Sequence, residues 1–472
     1  MLPRNAYRPS LLLAYAALTG GVALTTALAM PAGGVGVSME HFWWIALGSV
    51  AAIGSLVVMS GISTATGAYA VVFWCFHFGL IALLGSGFVE PSDISRWDQS
   101  WVLGPFAADA ALLALIASLA LASGAGLVRA RRPVDPPRVA LSVGLQGAHP
   151  HGVAGSVLVF AAIATWCGIV ILAGGLGGVF VSYVEYLRMT SEFGRVMTIV
   201  WLALGCGIVM SVTGRPGWLR TSAIAAFACQ ALVALPLGLR GEILFPSIAV
   251  LVASARCGRV LSLRAVSALG LALLVLIPVV REVRHTGVRD LSQTVLEIRP
   301  FDAFAEMGGS LHPVEKVVRW RVEGDPLEKG SSYWAPFERA FRRLLPGIDS
   351  VAAEDDRRIM NVLVVERVGP IGFSPVAEAY RNFGAVGVAF VFAILGGILA
   401  ALDGISDRRI AVLAVATVYV PLLSNVRNSF VSVPAQCAAG ILMVLGLGVI
   451  RHMVGSVMCR PYARATYVRS SV

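Results

Sequence analysis

One polar segment, Glu282 to Tyr380, interrupts a chain otherwise written in the residues of membrane-spanning helices. Inside it, charges of both signs are dense. On either side, apolar runs follow one another with short breaks. Runs long enough to cross a bilayer restrict a chain to helices or a closed barrel, because backbone N–H and C=O groups find no water there. These runs are continuous rather than alternating, which disfavours the barrel and points to an all-α, polytopic membrane protein. A segment this polar is then expected to form one large loop domain at a membrane face.

Of the 472 residues, 57% are hydrophobic and only 14% charged, too few charges to cover a soluble protein of this length. The net charge of +10 does not indicate nucleic acid. Most of the surplus arginines lie in short loops, where they report orientation in the membrane. The seven cysteines form no C-x-x-C pair, so neither a metal site nor a disulfide framework is indicated.

About twelve spans of ~17–25 residues fit the pattern. Their centres fall near Leu18, Gly54, Leu80, Ile116, Ile163, Gly205, Ala231, Ala249, Ala272, Ala393, Val415 and Met443. The first, about Ser10 to Met30, lacks a clear cleavage site and reads as a span rather than a signal peptide. The eighth, near Ala249, is short enough to tilt or re-enter. The expected division is residues 1–281 for helices one to nine, 282–380 for the extracytoplasmic loop domain, 381–453 for helices ten to twelve, and 454–472 for a cytoplasmic tail.

Arginines set the orientation. With Arg4 and Arg8 inside, strict alternation also places inside the loops holding Arg129, Arg131, Arg132 and Arg138, then Arg215 and Arg220, then Arg256, Arg259 and Arg264, then Arg408 and Arg409. The 282–380 segment then falls outside. So do Arg240 after span seven, Arg381 at the start of span ten, and Arg427 between spans eleven and twelve. An arginine at membrane depth on the side where positive charge is disfavoured needs an anionic partner. Phosphate oxygens match the forked guanidinium. A neighbouring carboxylate or a lipid headgroup serves a single arginine equally well.

Glu378 and Arg381, three apart on a helix, share a face and are read as a catalytic pair or a local ion pair. His312, followed by Pro313, is a candidate base or a turn residue. Glu242 stands close enough in sequence to orient Arg240. His77 is expected to be a hydrogen-bonded core residue. Gly384 and Gly387 are expected to let span ten pack closely on a neighbour.

The order of features resembles the O-antigen polymerase (Wzy-type) family of oligosaccharide repeat-unit polymerases. The pieces are Arg240-Gly241-Glu242 after a span, then Phe304-Ala305-Glu306-Met307-Gly308-Gly309-Ser310 in the loop. Gly330-Ser331-Ser332-Tyr333-Trp334 and Leu344-Leu345-Pro346-Gly347 follow. Ser374-Pro375-Val376-Ala377-Glu378-Ala379-Tyr380-Arg381-Asn382-Phe383-Gly384 leads into the next span, and Arg427-Asn428-Ser429 precedes the last. They cover roughly the C-terminal half.

The resemblance implies a multi-pass enzyme of the bacterial inner membrane with an extracytoplasmic active face. Donor and acceptor would both be undecaprenyl-diphosphate-linked oligosaccharides, with membrane lipid around the protein and a chain-length regulator protein as a further partner. No cofactor and no metal are expected. Arg240, Arg381 and Arg427 would hold the departing pyrophosphate, with Glu242, Tyr380 and Asn428 completing the pyrophosphate- and glycan-binding set. Glu378, Glu306 and His312 are the candidate bases. An O-antigen ligase-like transferase and a precursor transporter or flippase remain the alternatives. Against a transporter, charges are sparse within the spans, and polar residues gather at the loop face.

Overall fold

The computed structural model describes residues 40–97, 99–131, 151–175, 177, 181–258, 301–345 and 355–458, and among these there is no β-strand. The helices, in order, are α1 (Glu40–Ser60), α2 (Ala65–Gly85), α3 (Ala107–Ala130), α4 (Gly152–Gly174), α5 (Tyr183–Met189), α6 (Gly194–Thr213), α7 (Trp218–Ala234) and α8 (Arg240–Arg256). In the polar segment lie α9 (Asp302–Met307), α10 (His312–Val322), α11 (Ser331–Leu344) and α12 (Met360–Arg367). Then come α13 (Pro375–Asp403), α14 (Arg408–Ala414), α15 (Val420–Asn425) after a π-turn at Val415–Tyr419, and α16 (Ser432–Met458).

Seven described helices are long and apolar enough to cross a membrane: Phe42–Ser60, Ala65–Gly85, Ala107–Ala130, Gly152–Gly174, Ser191–Thr213, Pro375–Asp403 and Ser432–Val449. Ten of the twelve expected centres fall within described helical segments. The centres at Leu18 and Ala272 lie outside the described residues, as do 282–300, Pro346-Gly347 and 459–472. Helix α8 has only 17 residues and contains Pro246. At 1.5 Å per residue it reaches about 25 Å, less than the hydrocarbon thickness.

Small residues set the closest packing. A Cβ on Gly124 of α3 would lie 1.8 Å from the Ala393 carbonyl oxygen of α13, and one on Gly396 would lie 2.0 Å from that of Leu121. The two backbones therefore touch, as small-residue helix interfaces in membranes allow. The pair expected to do this, Gly384 and Gly387, acts differently. Gly384 has φ 70° and ψ −163°, a break within α13. A β-carbon is strained at positive φ, so this position needs glycine for conformation rather than for contact. Gly387 packs against Phe383 and Ala379 of its own helix.

Alternation of sides requires the ends of α1, α3, α8 and α13, and the start of α2, to lie together. They do, around Asp403. Its carboxylate accepts from Ala65 N (2.8 Å), Thr66 N (3.1 Å), the Thr66 hydroxyl, Arg129 Nη2 (3.0 Å) and Arg256 Nη2 (2.9 Å). Arg129 also donates to Met59 O near the end of α1. Removing one partner of a buried ion pair costs about 3–5 kcal/mol because the remaining charges stay unpaired. Asp403→Ala is therefore expected to lower the thermal midpoint of the purified protein by far more than Asp403→Asn, which keeps one acceptor. Equal midpoints for wild type and Asp403→Ala would contradict this latch.

The polar segment folds back onto the bundle. Residues 302–311 lie along α2: a Cβ on Gly79 would meet Phe304 O at 2.5 Å, and one on Gly308 would meet Leu80 N at 2.3 Å. Helix α10 packs on α3 and α13 through Val314, Val317, Val318 and Trp320, all buried. The pattern of Phe337, Phe341, Leu344 and Leu345 with Arg339, Arg342 and Arg343 reads in the sequence as a short amphipathic helix, and α11 is that helix. Helix α13 starts at Pro375, with Ser374 Oγ accepting from Val376 N at its N-cap. Proline at the first helical position is favoured because its missing N–H would have no partner there. The helix therefore begins before residue 381, and Glu378, Tyr380 and Arg381 belong to its opening turns. His77 is fully buried between Phe73 O and Ser374 Oγ, as expected. A carbonyl can only accept, so Nδ1 carries the proton.

Candidate active site

Most of the candidate residues lie along one polar seam at the end of the bundle opposite Asp403. It begins at Arg240, the first residue of α8, whose Nη1 lies 2.6 Å from Glu306 Oε1 on α9. Next along α8 is the partly buried Glu242, which feels the charge of Arg427. Arg427 follows α15, where its carbonyl accepts from Phe373 N and its side chain lies against Gly372. Asn428 folds back on the same turn, donating to Ser424 O at 2.9 Å. Two residues on, Phe430 N donates to Glu378 Oε2 at 2.7 Å.

Glu378 is 1% exposed. Its other oxygen, Oε1, accepts from Ser332 Oγ at 2.7 Å, and Asn382 Nδ2 in turn donates to Ser332 Oγ at 2.8 Å. Two helices, α11 and α13, and the turn before α16 thus converge on one carboxylate. The Asn382 side chain also accepts from Gly330 N, which fixes the entry into α11. Glu378 and Arg381 do not pair. Arg381 turns to Asp325 (3.1 Å) and Glu328 (3.0 Å), while Arg367 also binds Asp325 at 2.7 Å. Partial burial pushes the Asp325 carboxyl up, but hydrogen bonds from Arg367 and Arg381 outweigh it and hold the group below its usual range. Arg367 and Arg381 both lie over the Trp320 ring. Tyr380 and Arg381 line a cavity of about 10 Å³ with Val317, Arg321, Asp325 and Pro326.

Along this seam, buried polar atoms lack hydrogen-bond partners among the described residues. They are Arg240 Nε and Nη2, Glu306 Oε2, His312 Nε2, Tyr333 Oη, Arg381 Nε and Ser429 Oγ. Buried polar groups are nearly always satisfied, and each exception calls for an explanation. Most of these seven can donate; other buried polar atoms of the same kind, such as Tyr69 Oη and Gln230 Nε2, lie elsewhere in the bundle. Burial, then the neighbouring Glu378 charge, push the Tyr333 hydroxyl well above its usual range, so it stays a donor.

His312 opens α10 and stacks on Trp101 with ring centres 5.2 Å apart. Burial, with help from Lys316 and Arg319, lowers its pKa to about 3. The ring is neutral in the folded protein at pH 5–8, and its low basicity makes it a weak proton acceptor. Unfolding restores the ordinary value near 6.5, so the unfolded chain binds the extra proton first. Stability is full above about 6.5 and falls as the pH drops toward 3. Acidification from about pH 7 to about pH 5 should therefore lower the melting temperature of the wild type more than that of His312→Gln. Identical acid sensitivity in both proteins would rule this out.

Sequence reading missed Ser332, Asn382 and Tyr333 as side chains of the site. Ser332 and Tyr333 lie in the quoted Gly330-Ser331-Ser332-Tyr333-Trp334 piece and Asn382 follows Arg381, but nothing local shows that they meet Glu378. Among the described residues, no group of three or more His, Cys, Asp or Glu is placed to hold a metal ion.

A helical bundle of membrane-spanning segments, closed at one end by a folded polar segment and carrying arginines there, defines a polytopic membrane protein with a polar, arginine-bearing end. Residues 360–454 match the sequence model of the O-antigen polysaccharide polymerase Wzy family. The resemblance read from the sequence is thereby borne out over α12 to α16, which hold Glu378, Tyr380, Arg381, Arg427 and Asn428. The protein CapE of Staphylococcus aureus is 28% identical over 206 residues, 44% of this chain and 45% of CapE. The chain thus spans about half the length of that curated relative. No solved structure matches the chain significantly.

Proposed function

We propose that the chain is a membrane glycosyltransferase that joins lipid-diphosphate-linked oligosaccharide repeat units into a surface polysaccharide, working at the face that carries the polar segment, outside the bacterial inner membrane. The observation that carries this reading is Arg240. Its guanidinium is largely buried, is held at one corner by Glu306, and keeps two further donor nitrogens unsatisfied. A diphosphate offers oxygens in the forked geometry those donors fit. The family match over the adjoining helices points to the same class of substrate.

In the proposed reaction, the bond from the anomeric carbon to the phosphate oxygen of one lipid-linked chain breaks. The same carbon bonds to a hydroxyl oxygen of the acceptor chain. The lipid diphosphate leaves with the bonding electrons, and the hydroxyl proton passes to a base. Arginines placed beforehand where negative charge develops stabilise that step without reorganising. Arg240 and Arg427 would serve one end of the seam and Arg381 the other. Glu242 would orient Arg240 and Arg427 through charge, and Tyr380 and Asn428 would flank the glycan. Glu378 is the first candidate base, with Glu306 and His312 behind it.

Ligand pockets usually hold about 300–1,000 Å³, so a cavity of about 10 Å³ beside Arg381 cannot admit a glycan as it stands. Glu306 and the Asp325–Glu328 pair occupy the positions that phosphates would take on Arg240 and Arg381. Substrate entry then exchanges a protein carboxylate for a phosphate at each arginine. The decisive experiment is deletion of the gene, followed by measurement of surface-glycan length. Single attached repeat units are expected. Absence of any attached repeat would favour the ligase-like transferase, and unchanged polymer would end the proposal.

A further inference from the structure

The face of α11 turned away from the seam is apolar and open. Trp334 is 65% exposed, Phe337 46%, Phe341 63%, and Leu345, at the helix end, 38%. Their spacing of three and four residues places them on one stripe. The opposite face is turned inward: Ser332, Ala335 and Arg339 are buried. A soluble surface rarely leaves such a stripe uncovered.

The position of α11 identifies what covers it. Tyr333, in the first turn, stacks flat on Phe383 of α13, with ring centres 6.1 Å apart, and meets Phe430 edge-on. Phe383 begins the exposed stripe of α13, which continues through Val386, Phe390, Ile394 and Ile398 along a membrane-spanning helix. The apolar face of α11 therefore starts where the outward stripe of a span ends. Cations border it: Arg342 and Arg358 meet Glu338, and Arg358 also grips Asp356. An amphipathic helix with aromatic residues on one face and arginines at its edge fits the boundary between headgroups and acyl chains.

We infer that α11 is an interfacial helix whose Trp334–Phe337–Phe341 face is seated in the phospholipid bilayer, anchoring the polar segment to the membrane surface. Ser332 and Tyr333 lie on the same helix as this face, so the anchor also sets the height of the Glu378 network above the lipid. The inference does not depend on the reaction catalysed.

The test uses the unmodified full-length protein in liposomes containing a phospholipid with a photoactivatable diazirine high in the acyl chain. Lipid adducts are mapped by mass spectrometry, with Phe390 and Ile394 of α13 as internal reference. Parallel samples are exposed to hydroxyl radicals from the water phase. Adducts on Trp334, Phe337 and Phe341 in yield comparable to the reference, with little oxidation of Trp334, are expected. Strong oxidation without adducts would place the face in water and overturn the inference. Protection from both reagents would mean that protein, not lipid, covers it, and would overturn it equally.

Discussion

Arg240→Lys should abolish polymer while leaving the protein folded and present at normal level. Lysine keeps the positive charge against Glu306 but presents a single point of contact in place of the guanidinium fork. If the two unsatisfied nitrogens of Arg240 are there for phosphate oxygens, the fork is what the reaction loses. Loss of one donor aimed at developing negative charge typically costs about 10²–10³ in rate. Arg240→Ala should remove polymer as well, but it also strips Glu306 of the cation at 2.6 Å. Orphaning a fully buried charge costs about 3–5 kcal/mol, and less where solvent reaches it, as it does here. The double variant Arg240→Ala/Glu306→Ala, set beside Glu306→Ala alone, separates the two effects: it should recover the stability and lose the activity that Glu306→Ala keeps. Polymer of wild-type length from Arg240→Lys would show that charge alone suffices. Wild-type polymer from the double variant would remove Arg240 from the chemistry altogether.

The parts of this fold that depend on local pattern were legible in the sequence. Apolar runs gave the spans, because the bilayer forces every backbone group to pair within its own helix. The alternation of arginine-rich loops anticipated the meeting of Arg129 and Arg256 at one end of the bundle. The amphipathic pattern around Phe337 and Phe341 gave α11. What depended on tertiary pairing was not legible. Three-residue spacing suggested that Glu378 and Arg381 act together, yet α11 and the turn before α16 draw one away while Asp325 and Glu328 draw the other. Spacing fixes a shared face only to within the breadth of a helical turn, and long side chains diverge from there. The glycines were ambiguous for a different reason. Gly384 and Gly124 look alike in a sequence, but one supplies a positive φ and the other a close backbone approach. The fold-back of residues 302–311 onto α2 likewise leaves no local trace beyond small residues at Gly79 and Gly308.

The second large effect is expected at Glu378. Its carboxylate joins α13, α11 and the segment entering α16, accepting from Ser332 Oγ and Phe430 N. Two roles are compatible with that position, and they predict different variants. As a structural tie alone, the side chain needs only to accept two hydrogen bonds. Glutamine has nearly the same shape. Its oxygen can accept from Phe430 N while its amide donates to Ser332 Oγ, so the tie survives with little loss. Alanine leaves both donors without an acceptor, at about 1–3 kcal/mol each. As the base that takes the acceptor proton, the carboxylate itself is required, and a general base contributes about 10²–10⁴ in rate. The proposal therefore expects Glu378→Gln to keep the thermal midpoint and the binding of lipid-linked substrate while losing most turnover. Asn382→Ala should show a smaller loss, because it loosens Ser332 without touching the carboxylate. If Glu378→Gln turns over normally and Glu306→Gln does not, the proton goes to the polar segment. Glu378 then serves only to hold α11 at its height over the seam.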